Sequence, residues 1–341
     1  MNLLIITQKV DKNDQLLGFF IDWIARFAQN FGKITVLCLE KGEFNLSENV
    51  RVLSLGKDRG YSKIRQLSTF YSLLSALRND YDAVFVHMNP IWVVLGGFWW
   101  RITRKKIFFW YTSGGVTAKL KLAEKFADTI FTASKESFRL PSKKVIITGH
   151  GIDTELFKPD INKKSEKFSI LSIGRIAEVK NYEILVRAAK ILKDKNIEFS
   201  ITMIGEPALK KDWDYEQKLK SLISELGLRE NFNFLGKINH SDIVPYYQSN
   251  HLFIHLSKTG SLDKTLLEAM SCGMKILSSN DASKSFLPQN LNFNDKNSEE
   301  LANKIVVIKD SEPSSNLREY VVQHHNLDNL INKIAKAIDE R

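Results

Sequence analysis

Short apolar runs recur along the chain, separated by longer stretches in which apolar residues return every three or four positions. The first pattern is that of buried strands and the second that of helices packed on one face. In the first half the runs predict strands at Leu3–Thr7, Ile34–Leu39, Val50–Leu55, Ala83–His87, Ile107–Tyr111, Thr129–Ala133 and Val145–Thr148. Helices fill the gaps, most clearly Gln15–Phe31 and Lys63–Arg78. In the first of these, Leu17, Phe20, Ile24, Phe27 and Phe31 make a packing stripe. A second alternation gives strands at Phe168–Ile173, Glu198–Ile204, Phe232–Leu235, Leu252–Leu256 and Lys275–Ser278, and after about Ser311 the pattern is helical only. Strand–helix alternation implies a parallel sheet covered by helices. The expected fold class is therefore α/β, with two doubly wound, Rossmann-like domains facing a cleft that would hold substrates. The polar stretch Glu155 to Lys167 reads as the linker. The expected boundaries are 1–155 and 156–321, with a terminal helix of about 322–341 packing back on the first domain.

The length of 341 residues is long for one core and comfortable for two. Cys38 and Cys272 have no metal-ligand spacing and no Cys-x-x-Cys, so each reads as a small buried residue in a reducing compartment. Met1–Thr7 lacks the charged start of a signal peptide and reads as the first strand. The longest apolar run, Ile91–Trp100, is half a membrane span. A cytoplasmic protein follows as the expectation. The net charge of +10 is uneven: up to Asp160 there are 23 basic and 15 acidic side chains, a net of +8. A basic first half suits an anionic partner, and a phospholipid surface or lipid diphosphate fits better than nucleic acid, for which no motif is present. A merely soluble basic surface is the plainer account. The segment Phe98–Trp110 combines aromatics with four cations, as a membrane interface does, although the strand at Ile107–Tyr111 buries some of those aromatics.

Candidate chemistry concentrates in the second half. Thr259-Gly-Ser-Leu-Asp-Lys-Thr-Leu-Leu-Glu-Ala-Met-Ser-Cys-Gly273 reads as a loop of small residues opening a helix at about Asp263, followed by a strand. Free N–H groups at a helix start form an anion site. Asp263 can cap the helix or sit in its first turn. Glu268 lies more than a turn further on and is better placed for hydroxyls, such as a ribose diol. Together these suggest a nucleotide diphosphate. The plain alternative is a capped core helix. A second segment, Ile170–Asn181, is a buried strand ending in Gly174-Arg175, with Lys180 opening the next helix. Cations at a strand's carboxyl end sit where open α/β sheets bind ligands, and Arg175 and Lys180 can grip phosphate.

Other residues carry weaker signals. His87 closes a strand and could contact an acceptor or leaving oxygen, or be structural. His150, between two glycines at the domain junction, reads equally as site or hinge. His324-His325 sits in a polar stretch and reads as surface. Asp212-Trp-Asp214 resembles a metal-binding Asp-x-Asp, but helix-start acids are the simpler account, and no metal is expected. There is no Gly-x-Ser-x-Gly, Walker loop or His-Glu-x-x-His.

The segments Gly174-Arg175…Lys180 and Leu267-Glu-Ala-Met-Ser-Cys-Gly273 resemble those of family 4 (group 1) retaining glycosyltransferases of the GT-B fold. Further similar pieces are Gly149-His-Gly-Ile-Asp153, Gly236-Lys-Ile238 with Tyr246-Tyr247, and Trp110-Tyr-Thr112. The resemblance implies a metal-independent hexosyltransferase without a cofactor, using a nucleotide-diphosphate sugar and a hydroxyl acceptor, lipid-linked or part of an envelope glycan. It implies donor binding by Gly18, Gly174, Arg175, Lys180, Ile238, Gly260, Ser261, Leu262, Asp263, Lys264 and Glu268. Gly18 could equally serve helix packing. Acceptor-side candidates are His87, Ser113, Gly114 and His150, and the catalytic candidates are Arg175, Lys180, His87 and Ser113. Front-face substitution, with the leaving phosphate helping to deprotonate the acceptor, accounts for the lack of a paired-carboxylate site. The sequence departs from the pattern twice. Gly260 stands where most of the family has a Glu pointing at the donor sugar, which leaves Asp263 or Lys264 to take over sugar contacts. Ser113 follows Trp-Tyr-Thr where a His is usual. The alternative reading is a non-catalytic relative that binds a nucleotide sugar or a partner. A sugar-nucleotide epimerase lacks the paired acid and base it would need.

Overall fold

The computed structural model describes residues 1–14, 16–257 and 261–340. Its contacts divide the chain into two compact units. Unit 1 is Met1–Gly151 with Asn239–Ser241 and His325–Arg341; unit 2 is Ile152–Ile238 with Asp242–His324.

Unit 1 runs β1 (Asn2–Val10), α1 (Phe20–Asn30), β2 (Lys33–Lys41), β3 (Val50–Ser54), α2 (Lys63–Ala76), β4 (Ala83–His87), α3 (Pro90–Ile102), β5 (Lys106–Trp110), α4 (Ala118–Phe126), β6 (Thr129–Thr132) and β7 (Val145–Ile147). Its seven strands are parallel in the order β3-β2-β1-β4-β5-β6-β7. The residues of β1 and β4 are buried on both faces, which is why they read as unbroken apolar runs. One face packs Phe70, Leu74, Trp92, Trp100 and Leu120 from α2, α3 and α4. The other packs Trp23, Ile24 and Phe27 of α1.

Unit 2 runs β8 (Ser169–Ile173), α5 (Tyr182–Asp194), β9 (Ser200–Ile204), α6 (Lys210–Glu225), β10 (Phe232–Gly236), α7 (Val244–Ser249), β11 (Leu252–His255), α8 (Lys264–Ser271), β12 (Lys275–Ser278), α9 (Ser298–Lys309) and α10 (Ser315–His324). Its five strands are parallel in the order β10-β9-β8-β11-β12. One face packs α5, α6 and α9; the other packs α7, α8 and α10.

The last helix, α11 (Leu327–Asp339), belongs to unit 1. Leu327, Leu330, Ile331, Ile334 and Ile338 fall on one face and join the core around Trp23 and Phe27. Burying side chains of this size stabilises by about 1.5–3 kcal/mol each. The predicted terminal helix is in fact two: α10 ends at His324, and Asn326 caps α11 by accepting the Asn329 N–H at 3.0 Å.

Several sequence expectations are corrected. Helix α1 starts at Phe20, and the expected start at Gln15 lies outside the described residues. The Asp14 carboxylate accepts the N–H groups of Leu16 and Leu17, giving the backbone a turn instead of a helix. Gly18 closes that turn: a Cβ there would lie 2.5 Å from the Asp14 carbonyl oxygen. His325 is buried, not surface. Its Nδ1 accepts the backbone N–H of His150, itself buried, at 3.1 Å. Between Gly149 (φ +87°) and Gly151 (φ +71°) the chain turns sharply. A Cβ on Gly151 would meet Leu330 at 2.9 Å and Trp23 at 3.0 Å. Both cysteines are free and buried, and burial pushes both thiols up to about 12. Among the described residues, no helix is long and apolar enough to cross a membrane.

Candidate nucleotide-sugar site

The carboxyl ends of β8 and β9 approach each other unusually closely. Gly174 donates its N–H to Ile204 and Gly205 to Gly236, at 2.9 and 2.8 Å. Gly205 has φ +135°, and a Cβ on it would lie 2.1 Å from the Gly174 carbonyl oxygen. Only a residue without a side chain lets the two backbones meet, and that meeting sets the position of Arg175.

The Arg175 side chain is 44% exposed, with its Nε 3.8 Å from the buried carboxylate of Asp212. Asp212 stands in the first turn of α6 and accepts the Leu209 N–H at 3.1 Å. It acts as the helix-start acid that its sequence position suggests. Among the described residues, no cluster of His, Cys, Asp and Glu could hold a metal ion.

Lys180 ends a 3₁₀ turn, Glu178–Lys180, and Asn181 in the left-handed region (φ +50°) redirects the chain into α5. The lysine stem crosses Gly174, whose missing Cβ would sit 3.3 Å from Lys180 Cε. Its Nζ lies 2.7 Å from Asp263 Oδ2.

Asp263 holds the N-cap position of α8, but its carboxylate caps nothing. Oδ2 receives Lys180 and also lies 3.0 Å from His255 Nε2. Burial alone would raise the Asp263 carboxyl, but the Lys180 ammonium and the His255 hydrogen bond hold it well below the usual carboxylate range. Burial lowers His255, against the pull of Asp263, and so favours the neutral ring. With Nε2–H given to Asp263, Nδ1 must accept, and the Ser278 hydroxyl lies 3.2 Å from it. Ser278 in turn accepts the Asn280 N–H at 3.2 Å. Asn280, wholly buried, donates to the Ser261 carbonyl at 3.0 Å. A short network therefore runs Lys180–Asp263–His255–Ser278.

Glu268, one further turn along α8 and 3% exposed, accepts the Tyr247 phenol at 2.8 Å. Burial, then the Glu268 charge, raises that phenol well above its ordinary value. Leu262 is buried, Lys264 opens α8, and Ile238 packs at the edge of the core that holds α7 and α8. Gly260 lies outside the described residues. Unit 2 thus brings Gly174, Lys180 and Asp263 into direct contact and pairs Glu268 with Tyr247. Arg175 stands beside Gly174 in the chain. A cavity of about 780 Å³ elsewhere in the unit, lined by Ile276, Pro288, Val307 and Leu317, holds none of these residues.

In unit 1, His87 is 2% exposed and stacks on Phe20 with ring centroids 3.9 Å apart. Its Nδ1 lies 3.2 Å from the Thr7 hydroxyl. Ser113 donates its N–H to the Ser137 carbonyl at 2.9 Å. The Arg139 guanidinium lies against Gly114, 3.2 Å from where a Cβ would stand. His150 gives its backbone N–H to His325.

Two neighbours of the candidate residues were missed in the sequence. His255 ends a buried strand, and the one available signal was a His eight residues before a helix-start Asp. Arg139 lies on the Ser134–Leu140 turn, with no pattern linking it to Gly114.

The sequence profile of the family described as "Glycosyl transferases group 1" matches residues 153–324, just over half of the chain, and the chain belongs to that family. The two parallel-sheet units are those of the GT-B fold. Over its whole length the chain is similar to Anabaena HepE, solved in complex with UDP, with a TM-score of 0.81, 18% identity and complete coverage of both chains. Sucrose-phosphate synthase from Thermosynechococcus elongatus gives a TM-score of 0.77 at 16% identity, over 99% of this chain and 98% of that one. Among curated relatives, D-inositol 3-phosphate glycosyltransferase of Arthrobacter sp. (strain FB24) is 28% identical over 37% of this chain and 32% of its own length. The matched stretch spans about a third of each of the first curated relatives. The Escherichia coli UDP-Gal:alpha-D-GlcNAc-diphosphoundecaprenol alpha-1,3-galactosyltransferase is 23% identical over 88% of this chain and 87% of its own length.

Proposed function

We propose that this protein transfers a hexose from a nucleoside-diphosphate sugar to a hydroxyl of a glycan or lipid-linked acceptor, with retention of anomeric configuration and without a metal. The observation that carries the proposal is the pair of cations at the end of β8: Arg175, exposed, and Lys180, held over Gly174. Both can meet a diphosphate, and charge on the departing diphosphate is what the transition state must stabilise. Glu268, oriented by Tyr247, is the ribose partner. The acceptor oxygen attacks the anomeric carbon while the bond to the β-phosphate oxygen breaks. The acceptor proton passes to that phosphate, so no protein carboxylate is required as base. Ser113, Gly114 and the neighbouring Arg139 are the acceptor-side groups of unit 1. His87, expected from the sequence as an acceptor-side and catalytic residue, is instead buried against Phe20 and is assigned no direct contact with substrate. The UDP bound to HepE and the diphosphoundecaprenol acceptor in the name of the Escherichia coli galactosyltransferase agree in class with this reading.

Calorimetry with UDP and GDP tests the donor half. Arg175→Ala and Lys180→Ala should each weaken binding by about 2–3 kcal/mol if each makes a charge-assisted contact. Unchanged affinity in both rejects the assignment. Release of nucleotide from UDP- and GDP-sugars, measured with an acceptor panel and unaffected by EDTA, tests the transfer. A second reading is a non-catalytic relative that binds a nucleotide sugar, which Ser113 and the burial of His87 favour. Binding without acceptor-dependent release would establish it.

We also place the protein at an anionic membrane surface. In unit 1, Phe98 and Ile102 of α3, Ile64 of α2 and Leu122 of α4 are exposed. Arg101, Arg104, Lys63, Arg65, Lys119 and Lys121 neighbour them in the chain. Exposed apolar tips among cations match the chemistry of an interface.

A further inference from the structure

We propose that His255 is a positioning residue for the donor diphosphate: through Asp263 it fixes where the Lys180 ammonium stands. The inference rests on the donor reading above, and nothing in the sequence motifs assigns His255 a role.

The argument starts from an anomaly. Asp at an N-cap ordinarily spends its carboxylate on the N–H groups of the helix it opens. Asp263 holds that position in α8 and does not. Its Oδ2 is given to Lys180 at 2.7 Å and to His255 at 3.0 Å, both on other elements of unit 2. A local partner has been passed over for two distant ones, 83 and 8 residues away. An isolated Lys–Asp pair would leave a four-carbon stem free to swing. Here the carboxylate is itself pinned, because the imidazole that grips it is wholly enclosed at the end of β11. The ring has one tautomer that satisfies both sides: Nε2–H to Asp263 and Nδ1 accepting from Ser278. Ser278 is fixed in turn by Asn280 and Ser283.

The ammonium is thus held over Gly174, next to Arg175, by a chain of contacts anchored in β11 and β12. An ammonium carries three N–H donors and Asp263 uses one, so a phosphate can be met without breaking the pair. Burial favours the neutral form of His255, for which Gln is an uncharged replacement. Any effect of that change on diphosphate binding therefore reports geometry. A simple structural imidazole would alter stability and leave the Lys180 contribution to binding intact.

The experiment is a double-mutant cycle read by calorimetry with UDP and GDP as the probes. His255→Gln should weaken the binding of whichever probe the protein takes by about 5- to 20-fold, and by less than about 2-fold in the Lys180→Ala background. Ser278→Ala, which touches the same ring from its other side, should act in the same direction and also lose its effect without Lys180. If His255→Gln does not fold, Ser278→Ala decides the matter on the same criterion. The ³¹P resonance of the bound β-phosphate should move in His255→Gln toward its position in Lys180→Ala. If Lys180→Ala weakens binding but the His255 and Ser278 variants do not, or if their effects persist undiminished without Lys180, the positioning role is wrong and the donor reading stands. If Lys180→Ala binds as tightly as wild type, or neither probe binds, the donor reading fails and takes the positioning role with it.

Discussion

Gly205→Ala adds one methyl group where two backbones cross. The new Cβ would stand 2.1 Å from the Gly174 carbonyl oxygen, at a residue with φ +135°. An alanine at such a φ costs about 1–3 kcal/mol in strain. The clash must also be relieved by roughly 1 Å of movement, because carbon and oxygen need about 3 Å or more. Both partners are main chain, pinned by Gly174 N–H to Ile204 and Gly205 N–H to Gly236, so a side-chain rotation cannot relieve it. Weakening those two bonds adds about 0.5–1.5 kcal/mol each. The expected total is about 2–6 kcal/mol, a large part of a typical domain's stability. With a urea slope of about 2–3 kcal/mol/M, the unfolding midpoint should fall by about 0.7–3 M. The control is Gly227→Ala in the same unit. There φ is +67° but the only atom near the new Cβ is Lys193 Nζ at 3.8 Å. It should cost about 1 kcal/mol. Urea unfolding by circular dichroism compares them. If Gly205→Ala costs no more than Gly227→Ala, the two strand ends do not meet as described, and the placement of Arg175 falls with them.

Three other outcomes are expected. Asp263→Asn should lower stability most at neutral pH. The folded carboxyl lies below its unfolded value near 3.9, so its contribution is present above that pH and lost as pH falls through the folded value. The gap between acid melts of the two proteins should therefore begin to narrow below about pH 4 and go on narrowing as pH falls, and a gap of constant size would contradict the ion pair. His325→Leu removes the acceptor for the buried His150 N–H and should cost about 1–3 kcal/mol, with faster amide exchange at His150 as the specific sign. Co-sedimentation with anionic vesicles should fall with salt and in Phe98→Ser/Ile102→Ser, and the absence of binding at low salt would leave a plain basic surface.

Much of this protein was legible in one dimension, for a physical reason. Strands buried on both faces must be apolar throughout, so β4 at Ala83–His87 and β12 at Lys275–Ser278 begin and end where the sequence changes character. The cations after β8 were legible because Gly-Arg follows the mostly apolar run Ile170-Leu-Ser-Ile173. What failed was everything decided by competition between local and distant partners. Asp263 has the chemistry of a cap and the position of one, yet Lys180 and His255 outbid the helix. Asp14 did the reverse, capturing Leu16 and Leu17 and delaying α1. His325 sits among polar neighbours in sequence, while its burial is set by α11 packing against α1 and by the turn at His150. No window along the chain contains those facts.

The placement of α11 in unit 1 has a consequence for the order in which the protein comes into being. Unit 1 opens the chain, but its core around Trp23 and Phe27 is closed by Leu330, Ile331 and Ile334, which follow every residue of unit 2. On the ribosome, the unit that emerges first is therefore the one that finishes last. Until the closing helix is released, the apolar face of α1 stays open to solvent and to other nascent chains. Unit 2, which runs from Ile152 to His324 apart from the Asn239–Ser241 stretch that belongs to unit 1, has by then every residue it needs. A stalled or truncated chain should hence present a finished second unit joined to an adhesive, incomplete first one. Ribosome-bound intermediates arrested before Leu327 are where chaperone capture of this protein should be sought.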